Sequence, residues 1–99
     1  MKSSIEVMAE IMPTIRAEVA RELVGTHKMN QSEVSRILGV SQPAISQYVR
    51  QLRGNNRTVY DGMKTDIKNL CEKLVNGKIN GNLEQELSTI CKAAVENPQ

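Results

Sequence analysis

Between Val34 and Tyr60 the chain carries four arginines, Arg36, Arg50, Arg53 and Arg57, and no acidic residue. Inside that stretch lie Ser41, Gln42, Ser46, Gln47 and Arg50, hydroxyl and amide groups at helical spacing, closed by a guanidinium. Side chains of this kind do hydrogen-bonding chemistry. A glutamine amide both donates and accepts, so it can grip a flat polar edge at two points, and a guanidinium does so with a fork of donors. Uncompensated arginine suits a polyanionic partner; the plainer alternative is an arginine-rich face that only holds water. The remainder, Asp61 to Gln99, has five lysines against six acids, so the formal net charge of +2 is concentrated in the middle of the chain.

Other chemistries find little footing. No Ser/His/Asp arrangement, paired carboxylates in an apolar setting or glycine-rich phosphate loop is present, so no enzyme is expected and no catalytic residue or cofactor is assigned. His27 stands alone, with no cysteine or acid at ligand spacing, and reads as a residue beside the negative end of a helix. Cys71 and Cys91 are the only cysteines, each inside an apolar stripe. They read as small buried hydrophobes. A disulfide between them or a redox- or metal-responsive role is the alternative, but two cysteines without a nearby histidine do not complete a zinc site in one chain, and no metal site is assigned. Tyr48 and Tyr60 are the only aromatic residues, too few for the stacking platforms used on single-stranded RNA.

The elements that must position the Ser/Gln/Arg set are helices. At 99 residues, 39% hydrophobic and 24% charged, the chain has enough apolar material for one modest core. That core is aliphatic, which favours packed helices over a sheet. No run approaches about 18 apolar residues, and Glu6 and Glu10 interrupt any apolar signal core, so neither a membrane span nor a secretory peptide is expected and a cytoplasmic location is. The first segment covers Ser4 to Met12, with Ser3 and Glu6 at capping-box spacing. Pro13 then opens a second helix to about Val24 or kinks a single long one. Met12, Ile15, Val19 and Leu23 share a face, and Gly25 is a stop. Asn30 and Glu33 form a capping box, with Met29 and Val34 as its staple, for a short helix ended by Gly39. Ser41 caps the next, spanning 41–53, with Pro43 in its first turn and Ile45, Tyr48 or Val49, and Leu52 inward; Gly54 is its end. The tail, 58–99, reads as a helical hairpin. Met63, Ile67, Leu70, Cys71, Leu74 and Val75 line one helix. The turn chemistry of 76–81 and an Asn82 cap follow. Leu83, Leu87, Ile90, Cys91, Ala94 and Val95 line the other.

Two short helices joined at Leu38-Gly39-Val40-Ser41 make a specific unit. A sharp crossing needs a residue free to take positive φ, which Gly39 supplies, and a small residue at close approach, which Ser35 supplies. Val34, Leu38, Val40 and Ile45 stand ready for burial on both sides of the turn. The stretch from Gln31 to Arg50, and its Ser-Gln-x-x-Ile-Ser run in particular, resembles the helix-turn-helix of phage-repressor and Cro-like transcriptional regulators; the whole chain is also similar to small archaeal regulators with this motif near the N-terminus. The close resemblance covers about 20 residues, quoted from the sequence itself.

The segments together predict an all-α, five-helix fold, with a helix-turn-helix region over 1–57 and a C-terminal helical hairpin over 58–99 that packs or dimerises; the resemblance implies that 1–57 binds double-stranded DNA. It places the second helix in the major groove, with Gln42, Pro43, Ser46, Gln47 and Arg50 toward base edges. Gln31, Ser32, Ser41, Arg53, Asn55 and Arg57 go to backbone phosphates. Glu33 is structural, and Arg36 pairs with an acid or with phosphate. One such helix reads only a few base pairs, so a homodimer on two half-sites is expected, through the apolar surplus of the tail or through Ile5, Met8 and Met12. A protein-interaction module of a transcription or antitoxin complex is the alternative. Operator, regulated genes and any small-molecule effector are not legible.

Overall fold

The computed structural model describes residues 4–50, 61–77 and 83–96, and within them the chain is all-helical. Five helices follow in order: α1 (Ser4–Gly25), α2 (Gln31–Leu38), α3 (Gln42–Arg50), α4 (Asp61–Val75) and α5 (Leu83–Glu96). Ser3, Gln51 to Tyr60 with Leu52, Arg53, Gly54, Asn55 and Arg57, and 78–82 with the Asn82 cap lie outside the described residues.

Pro13 neither starts a helix nor ends one. It lies inside the 22-residue α1, so of the two readings the single long helix is the one observed. A proline here deprives the carbonyl four residues earlier of its N–H partner. That carbonyl belongs to Ala9, and both Ala9 and Pro13 are exposed, so water can take the place of the missing donor.

α1 is the axis of the molecule. α2 and α3 pack against it, and so do α4 and α5. This explains why its buried surface is wider than one stripe. Ile11, Ala17 and Ala20 are buried in addition to Ile15, Val19 and Leu23, and Met8, Met12 and Val24 pack at the margins. Ala17 and Ala20 contribute little volume, which lets neighbouring helices approach closely. α5 runs antiparallel to α1. Arg16 Nη2 forks onto both carboxylate oxygens of Glu84 at 3.0 and 2.9 Å, while Cys91, seven residues further along α5, reaches back to the Met8 carbonyl. Being largely exposed, the Arg16–Glu84 pair fixes alignment more than it adds stability, which for such pairs is about 0–1 kcal/mol.

The five helices share one core. Val34, Leu38 and Ile45 from α2 and α3 join the α1 residues, and Met63, Ile67, Leu70, Cys71, Leu87, Ile90 and Cys91 enter from the tail. The apolar material of the tail that suggested a surface for a second copy is thus largely used inside the chain. Two large apolar residues are exposed among those described: Val75, at 44%, turns out of the stripe assigned to it, and Ile5 is 79% exposed. No helix is long and apolar enough to cross a membrane among the described residues.

Candidate functional site

The α2–α3 unit is built from local signals that work as the residue types require. Asn30 Oδ1 accepts from the Glu33 N–H at 2.8 Å, and Glu33 Oε1 accepts from the Asn30 N–H at 3.3 Å, closing the box at the start of α2. At its end Gly39 takes φ +70°, and the N–H groups of Gly39 and Val40 both point to the Ser35 carbonyl, at 2.9 and 3.2 Å. Two carbonyl-directed bonds and one left-handed residue turn the chain within three positions. Ser41 Oγ then accepts from the Ala44 N–H at 3.2 Å, so α3 begins with its own cap. Ser35 Oγ donates to the Ser32 carbonyl at 2.9 Å, which keeps this small residue folded against its own helix.

α3 has one fully buried residue, Ile45, with Tyr48 and Val49 half-buried beside it. At about 100° per residue, Gln42, Pro43, Ser46, Gln47 and Arg50 cover an arc of about 140° on the opposite side. Gln42, Pro43, Gln47 and Arg50 are exposed, and Ser46, between Gln42 and Arg50 on the arc, is half-buried. The five residues assigned to one face therefore do share it, and no acid interrupts it. Ser41 is exposed just before it. Gln31 and Ser32 open α2, the first half-buried and the second exposed. Arg36 is exposed on α2, and among the described residues neither Arg36 nor Arg50 is paired with a carboxylate. Arg53, Asn55 and Arg57, assigned to phosphates, lie outside the described residues.

Arg21 was not singled out from the sequence. Its Nη1 donates to the Tyr48 carbonyl of α3 at 3.2 Å, and its Nη2 donates to Glu18 on the same face of α1. The Glu18–Arg21 pair is legible at a spacing of three; the contact with Tyr48, 27 residues away, is not, because it depends on how α3 lies across α1.

The two cysteines are kept apart. Cys71 Sγ donates to the Val19 carbonyl at 3.7 Å and Cys91 Sγ to the Met8 carbonyl at 3.6 Å. Those carbonyls are eleven residues apart on one helix, about 16 Å at 1.5 Å per residue, too far for the two sulfurs to bond. Both thiols are free and buried. Burial, followed by the charge of Glu22, pushes Cys71 up to about 12 from 9.0, and burial also raises Cys91. The folded protein therefore holds the Cys71 proton between about 9 and 12 while the unfolded chain releases it. The stabilisation from this group is complete below pH 9 and fades as pH climbs toward 12. Thiol reagent at pH 8 should label both cysteines slowly, on the timescale of unfolding, and at once in denaturant; prompt labelling of the native protein would restore a sensing role. No group of three His, Cys, Asp or Glu residues able to hold a metal ion occurs among the described residues.

Comparison of the chain with protein-family models, with curated proteins and with solved structures gives no match.

Among the described residues no polar or charged residue is buried. Apart from the cysteine thiols, side-chain hydrogen-bonding groups lie at or near the surface among the described residues, and the outer side of α3 is an acid-free display of them.

Proposed function

We propose that this protein is a sequence-specific double-stranded DNA-binding transcriptional regulator of the helix-turn-helix type, acting in the cytoplasm as a homodimer, without catalytic activity of its own. The observation that carries the reading is the outer arc of α3: Gln42, Gln47 and Arg50 exposed together, with Pro43 and Ser46 between them, held outward by the burial of Ile45. An α-helix is about the width of the major groove. Gln matches the N6/N7 edge of adenine, Arg the O6/N7 edge of guanine, and the proline ring suits a thymine methyl. Ser41, at the positive end of the α3 dipole, suits a phosphate, as do Gln31 and Ser32 at the start of α2. Arg53, Asn55 and Arg57 extend this basic margin in sequence, and their attraction is of the kind that weakens with salt.

Two copies are part of the proposal because one such helix discriminates too few base pairs for a genome, and a two-fold pair reading half-sites about 34 Å apart supplies the rest. Selection from a random duplex pool tests these elements together. An enriched inverted repeat is the expected result, and a pool without enrichment refutes sequence reading. On the selected site Gln47→Ala should lose about 1–3 kcal/mol of binding with affinity for random duplex unchanged. Equal loss on both would assign Gln47 to the phosphates instead.

The redox alternative is weakened by the buried, separated thiols.

A further inference from the structure

We propose that Arg21 is a positioning residue for the reading face: held by Glu18, it anchors α3 at Tyr48 to α1 and so sets the tilt at which Gln42, Ser46 and Gln47 meet DNA. This rests on the reading of α3 given above.

Tyr48 lies in the second half of the described part of α3. Arg21 supplies the Tyr48 carbonyl with a donor from another helix, 27 residues away in sequence. Its side chain is 24% exposed and that of Glu18 beside it 26%, so both are partly withdrawn from water, and the planar fork of the guanidinium serves the two acceptors at once. The other attachments of α3 differ in kind. Ser41 secures its first turn, and Ile45, with Tyr48 and Val49 beside it, holds it to the core by apolar packing. The Arg21 bond to the Tyr48 carbonyl is by contrast directional, and it falls in the second half of the described helix. Arg21 itself sits on α1, on the side of α3 that carries Tyr48, about 170° around the helix from the centre of the Gln42–Arg50 arc. Its effect on reading is therefore transmitted through α3.

The physics separates such a role from a phosphate contact. Attraction between arginine and phosphate falls slowly with distance and tolerates a small tilt. A hydrogen bond to a base edge weakens steeply once distance or angle leaves a narrow range. Loosening α3 at Tyr48 should thus cost affinity for the selected site and leave random duplex alone.

The test uses the full chain. Arg21→Met alone removes a charge, so it is paired with the double variant Glu18→Gln, Arg21→Met, which keeps the net charge. Both should stay folded by circular dichroism and show an about tenfold loss in the ratio of selected-site to random-duplex affinity, with an unaltered salt slope. Arg21→Lys, which keeps the charge and an ammonium donor group but not the planar fork, should recover part of the ratio. A lower melting temperature with an unchanged ratio would make Arg21 a purely structural residue and overturn the proposal. So would a salt slope reduced by about one, which marks a lost phosphate contact. Amide hydrogen exchange on the free protein provides a readout independent of DNA: faster exchange in α3 of the double variant, with α2 unaltered, is expected, and unchanged α3 protection overturns the anchoring. If wild-type protein enriches no duplex, the DNA reading fails, while hydrogen exchange still decides whether Arg21 holds α3.

Discussion

Replacing Ile45 with alanine should lower the unfolding free energy by about 2–5 kcal/mol, the range for deleting a buried aliphatic side chain from a packed site. Ile45 is fully buried, the one residue of α3 that is, and it meets α1 and α2 residues in the common core. A loss of this size is a large part of the about 5–15 kcal/mol that hold a small domain together. The expected record is a denaturant midpoint well below wild type with an unaltered slope. Ile45→Val, which deletes one methylene, should cost only about 0.5–1.5 kcal/mol. If both variants melt like wild type, Ile45 does not hold α3 in place and the outward arc loses its support.

Gly39→Val is the second large effect, with an expected cost of about 1–3 kcal/mol and a lower Tm. The reason is backbone conformation alone. Gly39 has φ +70°, where a β-branched residue is strained, yet a Cβ placed there meets nothing within 4 Å. The absence of any clash supplies the control. Asparagine tolerates the left-handed region, so Gly39→Asn should retain most of the stability. A valine variant as stable as wild type would mean that the turn between α2 and α3 does not require this conformation.

Much of the architecture was readable because its signals are local. The Asn30–Glu33 box, the Gly39 stop and the Ser41 cap each involve residues within four positions, and each forms as its chemistry dictates. The shared outer face of Gln42, Gln47 and Arg50 followed from helical periodicity in the same way. Three features were harder to read. Pro13 is compatible with two helices or one, and the exposure that lets Ala9 be hydrated is a property of the assembled fold. The buried surface of α1 was drawn too narrow because Ala17 and Ala20 carry little hydrophobic signal and are buried by neighbours on more than one side. Lys28, at φ +57°, gives no residue-type cue; the turn there is imposed by bonds from the His27 and Met29 N–H groups back to Glu22 and Leu23 carbonyls. Arg21 belongs with these long-range features, since its partner on α3 is fixed only by packing.

Because α1 is the common wall between the α2–α3 unit and the tail, the two ends of the chain are thermodynamically tied. Whatever grips the outer arc of α3 also draws on the order of the helix on which α4 and α5 rest. Any coupling between the outer arc of α3 and the tail runs through α1, and between two ligands bound at those places it would be reciprocal. The order of the α3 surface thus rests on the same helix that carries the tail.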